Sequence, residues 1–314
     1  MDFATKCRNL ASIIDSLLLS LIDRDYYLLE IPYYTNIGDT LIWQGELDML
    51  SKSPHKCKGM YALESFPFWK TIPEGSLILF QGGGNFGDLW TKHHDFKMNI
   101  IRKFPKCKFI FFPQTVFFQK RENLLKCASF LSSQSDITIC ARDEKSFETL
   151  KTYFQCNVLL VPDMAFCIDM TKWPASKNAG SKDLFLKRTD GEFKNSQYVE
   201  KLTSCTNMDV TDWPTMLGSF DKETKKMHRY KDHFYFRYLF ADRYAFEIYR
   251  PHLIQTGVDL LASYNKIYTT RLHAAILGVL MNKEIEFLDN SYGKNMSFFE
   301  TWLYDYDKIK FERK

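Results

Sequence analysis

The stretch Ser76–Trp90, SLILFQGGGNFGDLW, constrains the chain more than any other. An apolar β-type run, Leu77–Phe80, breaks into Gly82, Gly83 and Gly84. Asn85, Phe86, Gly87 and Asp88 follow, and a helix-like pattern begins. A strand that turns on side-chain-free residues and restarts as a helix aims backbone N–H groups at one spot, which suits an anion such as phosphate. Gly82, Gly84 and Gly87 also match GxGxxG, but the next strand ends Phe112-Pro113-Gln114-Thr115 without the acid that a dinucleotide ribose needs. No GxxxxGK[ST] occurs, which disfavours a P-loop nucleotide site.

The glycine turn belongs to a longer alternation. Strands are predicted at Tyr26–Ile31, Leu77–Gln81, Lys108–Phe112, Ile137–Ala141 and Val158–Val161. Helices are predicted at Asp39–Ser51, Asp88–Phe104, Arg121–Ser132 and Asp143–Phe154. Such alternation gives an α/β fold with a parallel sheet covered on both faces. After a polar, Pro/Gly/Ser-bearing linker at Lys172–Lys182 the pattern resumes: strands Asp183–Lys187, Met208–Val210, Lys266–Thr269 and Glu284–Leu288. Helices are expected at Asp221–Tyr249, His252–Ser263, Leu272–Met281 and Asn295–Leu303. With 314 residues, two Rossmann-type domains with a cleft between them are expected: 1–172, 182–294, and a terminal helix and tail at 295–314.

The net charge of +4 implies no general affinity for nucleic acid. Eight cysteines occur without CxxC spacing, scattered through apolar runs, as expected for reduced, buried thiols of a cytoplasmic protein rather than a zinc site. The apolar segment Leu10–Ile22 carries Asp15 and is too short to span a bilayer, so it reads as a first helix and not as a signal peptide.

Ligands of parallel sheets bind beyond the carboxyl ends of the strands, so the residues there carry the chemistry. Asp39 follows the first strand in Asn36-Ile37-Gly38-Asp39, either as a helix N-cap or as a carboxylate that takes a proton from a sugar hydroxyl. His93 and His94 lie just past the glycine turn; one is expected to be solvated and the other to reach the cleft. Arg142 ends the fourth strand, paired with a local acid or forked onto a ligand carboxylate or phosphate, with Asp143 as the next helix's N-cap or a first-turn acid. Arg271, Leu272 and His273 open a helix of small apolar residues. A charged His273 there meets an unfavourable helix dipole, which a bound anion offsets, and the imidazolium is then a general acid.

Taken in order, NIGDTLI (36–42), GGGNFGDLW (82–90) with His93 behind it, PQT (113–115), ARDEKS (141–146), PDMAF (162–166) and TTRLHAAILG (269–278) resemble the polysaccharide pyruvyl transferase family. The resemblance implies a GT-B-like fold, two Rossmann-type domains with parallel sheets facing each other across a cleft. It implies transfer of the enolpyruvyl-derived group of phosphoenolpyruvate onto a sugar, closing a pyruvate ketal for capsular or exopolysaccharide synthesis. It gives Arg142 and Arg271 the donor's phosphate and carboxylate, His273 the protonation of the methylene carbon, and Asp39 the base. Gly82, Gly83, Gly84, Asn85, His93 and Leu272 would line the same site. No metal or separate cofactor is called for.

The segment His228–Arg250 interleaves five basic residues with aromatics. It reads either as a helix packing into the second domain or as a surface for an anionic bilayer carrying a lipid-linked acceptor. A nucleotide-sugar glycosyltransferase of the same fold and a non-catalytic anion- or glycan-binding protein are the alternative functions.

Overall fold

The computed structural model describes residues 2–134, 136–176, 180–218 and 220–312. The first sheet contains β1 (Tyr26–Leu29), β2 (Cys57–Tyr61), β3 (Leu77–Phe80), β4 (Gly83–Gly87), β5 (Lys108–Phe117), β6 (Ile137–Ala141) and β7 (Asn157–Leu160). Its order is β2-β1-β3-β5-β6-β7, with β4 also pairing β5, and every pair is parallel. The second contains β8 (Asp183–Leu186), β9 (Met208–Thr211), β10 (Lys266–Thr269), β11 (Glu284–Phe287) and β12 (Ile309–Phe311), in the order β12-β11-β10-β8-β9, again all parallel. In each sheet the first strand lies between the second and third. Strand order reverses there, and the crevice of a parallel α/β sheet opens at that reversal. The result is the expected α/β, GT-B-like pair of sheets.

The helices that matter most lie between strands. They are α1 (Phe3–Leu18), α2 (Ile37–Leu50), α3 (Thr91–Lys103), α4 (Arg121–Ser132) and α5 (Glu144–Tyr153). Helix α2 is almost wholly buried, its polar Gln44, Glu46 and Asp48 included, because it has protein on nearly every side. Its Ile37, Leu41, Ile42 and Trp43 join a core that runs from Leu10 and Ile14 of α1 through Met164–Ile168 to Leu272–Leu280 of the second sheet's layer. The two halves therefore share one hydrophobic core beneath the crevice. The terminal helical segment Lys294–Leu303 crosses back to the first sheet: Trp302 Nε1 donates to the Arg142 carbonyl (2.7 Å) and Ser297 Oγ to Asp143 Oδ1 (3.1 Å).

Several expectations are corrected. The glycine turn does not restart as a helix at Asp88. Gly83–Gly87 continues as β4, because β5 runs on to Phe117 and offers it an edge, and α3 begins only at Thr91. Strands β2 and β12 were not expected; β2 is half-exposed and polar, and β12 is three residues long. The single helix expected over Asp221–Tyr249 breaks at His233, and π-helical turns follow at Arg237–Ala241 and Ala245–Tyr249. The first helix starts at Phe3, capped by Asp2, and ends in a 3-10 turn at Leu21. All eight cysteines are free, but Cys57 and Cys205 are exposed rather than buried. Residues 177–179 of the expected linker lie outside the described residues.

Candidate active site

A cavity of about 610 Å³ lies where the two sheets present their strand ends, with Asp39, Gly84, Asn85, His93, Arg142, Arg271, Leu272 and His273 in its wall. Three helix N-termini open into it. Those of α3 and of Leu272–Leu280 carry no side-chain cap, so their first N–H groups favour a negative ligand. At the third, Asn36 is the N-cap of α2, its Oδ1 accepting from Gly38 N (3.0 Å). Asp39 is thus not the cap. It sits in the first turn, half-buried, with Oδ2 accepting from Asn36 Nδ2 (2.7 Å).

At the floor, Arg142 is buried and held from two sides. Its Nε donates to Thr115 Oγ1 and its Nη1 to Asp163 Oδ2, both at 2.8 Å. Its Nη2 is directed toward Gly84, 3.5 Å from where a Cβ on that residue would stand, and Lys294 Nζ is 4.0 Å from the same point. A side chain at 84 would occupy the space between these two cations. Asp163 also meets His273 Nε2 (3.3 Å) and accepts from Ala165 N (3.0 Å). Burial raises the Asp163 carboxyl, but His273, Arg142 and the Ala165 N–H outweigh it and hold the group well below the usual carboxylate range. Asp163 therefore places a buried carboxylate beside His273 at the helix N-terminus, where the sequence alone pointed to a bound anion. His273 Nδ1 lies against α2, where a Cβ on Gly38 would be 2.7 Å away; only glycine admits this approach.

The second sheet supplies more cations, each engaged by an acid. The Arg271 fork is spent on Asp212, with Nη2 2.5 Å from Oδ2, and Asp212 is fixed in turn by Thr189 N (3.0 Å) and Trp213 N (2.8 Å). Arg188 donates to Asp190 and Glu192, both at 2.7 Å. Glu192 is also bonded by Lys294 Nζ. Burial raises Glu192, yet Lys294 and Arg188 pull it down to about 2. Burial lowers Lys294 to about 8; Glu192 opposes the shift, and the neighbouring Arg188 and Arg142 deepen it.

Behind His93 of the opposite wall, Glu30 follows β1 in the left-handed region (φ 73°) with its N–H tied to Tyr61 O (2.8 Å). Its buried Oε1 takes Lys97 Nζ and His93 Nδ1, both at 2.8 Å, which fixes the imidazole against the cavity. Strained backbone of this kind concentrates at functional sites. His94 is not solvated: it packs edge-on to Phe86 and Phe118, and burial lowers it to about 4.

The structure thus gathers eight of the ten sequence-predicted residues around one cavity. Gly82 and Gly83 are not in its wall. The Gly82 N–H goes to Glu46 Oε1 (2.8 Å), a fully buried carboxyl that burial pushes well above its ordinary range, and Gly83 pairs with Gln114. Asp163, Asp212, Arg188, Glu192, Lys294 and Glu30 were missed as site residues. Asp163 stood in the quoted PDMAF run, Asp212 directly follows β9 and Arg188 lies two residues past β8; for Glu30 and Lys294 the sequence holds no local signal.

Comparison with known proteins follows the same outline. A solved protein of Klebsiella pneumoniae subsp. pneumoniae NTUH-K2044 superposes with a TM-score of 0.68, covering 98% of this chain and 99% of that one at 22% identity, which speaks for the fold alone. EpsO of Bacillus subtilis (strain 168) is 29% identical over 87% of this chain and 83% of its own length. Pyruvyl transferase 1 of Schizosaccharomyces pombe (strain 972 / ATCC 24843) is 28% identical over 88% of this chain and 69% of its own. The family model for polysaccharide pyruvyl transferases matches residues 36–292, from the cap of α2 to the tyrosine beside Glu192 and Lys294, and the chain is an enzyme that belongs to the polysaccharide pyruvyl transferase family.

Proposed function

We propose that the cavity binds phosphoenolpyruvate and transfers its enolpyruvyl-derived group to two hydroxyls of a sugar. The observation that carries this reading is the convergence of Arg142, Arg188, Arg271, Lys294 and His273 with two uncapped helix N-termini on one small cavity. The donor carries about three negative charges near neutral pH, on a phosphate and a carboxylate. Arg142 Nη2 and Lys294, flanking Gly84, suit one of these groups. Arg271 adds positive charge beside the uncapped N-terminus of Leu272–Leu280, with its Nε and Nη2 held by Asp212. His93, fixed by Glu30, and Asn85 complete the wall.

In this scheme His273 gives a proton to the methylene carbon, leaving positive charge at C2. The acceptor's first hydroxyl attacks C2 and passes its proton to Asp39. The C2–O bond to phosphate breaks, the second hydroxyl attacks, its proton leaves with the phosphate, and the proton held by Asp39 returns to His273 through solvent. Donor and diol become ketal and inorganic phosphate, and no redox partner is required. The acceptor is a lipid-linked saccharide of capsule or exopolysaccharide assembly, met by a cytoplasmic enzyme at the inner face of the membrane. No helix among the described residues is long and apolar enough to cross a membrane.

Thermal-shift titration tests the donor. Phosphoenolpyruvate raises the melting temperature of the wild type and not of Arg142→Ala, and nucleotide sugars leave both unchanged. A shift with a nucleotide sugar and none with phosphoenolpyruvate would overturn the reading.

A further inference from the structure

The two sheets jointly build an apolar surface that the catalytic scheme does not use. Phe68 and Trp69, in the loop between β2 and β3, are 75% and 55% exposed. From the other half of the chain, Phe234, Tyr235 and Leu239 are also exposed, Leu239 by 67%. The two sets touch: Trp69 packs on Tyr238 with ring centroids 4.9 Å apart, Phe68 on Trp69 at 4.6 Å, and Phe234 on Tyr238 at 5.4 Å. A soluble surface rarely leaves so many large rings together without a partner.

Charge selects the partner. Between His233 and Phe246 the single acid is Asp242, and it turns inward onto Ser65 Oγ (2.6 Å), where burial raises its carboxyl to about 8. The stretch Phe66–Ile72 holds no acid. Lys103 Nζ donates to the Phe68 carbonyl (2.7 Å), and Arg243, one turn beyond Leu239 and bonded to Glu247, is exposed. Aromatic rings with a basic rim match the boundary of an anionic bilayer, where rings enter the interface and cations meet headgroups.

We propose that this composite face docks the enzyme on an anionic lipid surface. Phe68, Trp69 and Leu239 enter the interface, while Lys103 and Arg243 meet the phosphates. The proposal rests on the reading above only for its purpose, delivery of a lipid-linked acceptor; lipid binding itself is measured without either substrate.

The test is flotation of the full chain with vesicles of phosphatidylcholine, with and without phosphatidylglycerol. Wild type is expected to float with the anionic vesicles and not with the neutral ones. Phe68→Ser/Trp69→Ser should lower the partition coefficient roughly tenfold or more, through the lost apolar burial. Arg243→Glu should lower it about fivefold for each unit of charge removed. Circular dichroism and melting curves confirm that the variants fold. Trp69→Phe gives a second readout, because the tryptophan blue shift on adding anionic vesicles should shrink in that variant. Failure of wild type to float overturns the proposal, as does flotation unchanged by the Phe68/Trp69 pair. A Phe68/Trp69-dependent dimer seen by sedimentation, without flotation, overturns it in favour of a second copy. In each case phosphate release with a water-soluble acceptor still reports the chemistry separately.

Discussion

Replacing Asp163 by Asn perturbs the centre of the site with the smallest change of shape. The carboxylate is fully buried and receives Arg142 Nη1 at 2.8 Å, His273 Nε2 at 3.3 Å and Ala165 N at 3.0 Å. The amide keeps the bond from Ala165 but withdraws the charge and leaves a buried guanidinium without its counter-ion. Breaking a buried pair from one side costs about 3–5 kcal/mol. The isosteric change belongs at the low end, which at about 2 °C per kcal/mol lowers the melting temperature by roughly 6 °C. The pH dependence has a definite sign. Because the folded carboxyl lies below its unfolded value, its contribution is complete above the ordinary carboxylate range. It disappears as pH falls through that range and below, so the gap between wild type and variant should close between about pH 5 and pH 2. His273 loses the carboxylate beside its Nε2, and kcat should fall by roughly 10²-fold, the lower part of the general-acid range. Melting curves at stepped pH and a phosphate-release assay measure both effects. A gap that stays constant with pH, or turnover equal to wild type, would refute the counter-charge argument.

Other expectations follow from the same geometry. Gly84→Ala puts a methyl at ordinary contact distance, 3.5 Å, from Arg142 Nη2, so melting should be unchanged while the KM for the donor rises at least roughly tenfold. Glu46→Gln should leave activity intact and become more stable than wild type as pH rises past about 5: burial holds the wild-type carboxyl well above its ordinary range, and the stability it provides is lost as pH climbs from its unfolded toward its raised folded pKa. Donor affinity should weaken as pH rises through about 8, where Lys294 loses its charge; a Lys294→Met variant binds more weakly throughout and lacks that inflection in a KM–pH profile.

The strand-end logic made much of the site legible. In a parallel α/β sheet, the residue after each strand points to the crevice, so Asp39, Arg142 and the Arg271–His273 turn could be named from spacing alone. The glycine turn was misread because three glycines permit either a helix-opening loop or a further strand. The choice is made by β5, thirty residues away, whose extension to Phe117 offers β4 a parallel edge. The counter-charges were hidden for the same reason. Asp163 meets His273 across 110 residues and Glu192 meets Lys294 across 102, so no local pattern shows which cation each acid faces. The helical period from 221 to 249 concealed the break at His233 and the π turns, which turn Leu239 and Phe240 outward.

The central claim is that a cationic cavity receives an enol phosphate and surrenders its three-carbon unit to a sugar diol. Incubation with phosphoenolpyruvate and a lipid-linked saccharide, followed by mass spectrometry with parallel phosphate detection, addresses it most directly. The account predicts an acceptor mass gain of one pyruvate less one water, matched by an equal amount of phosphate and absent in Arg142→Ala. Phosphate release without an acceptor, or transfer of a hexose from a nucleotide sugar instead, would contradict it.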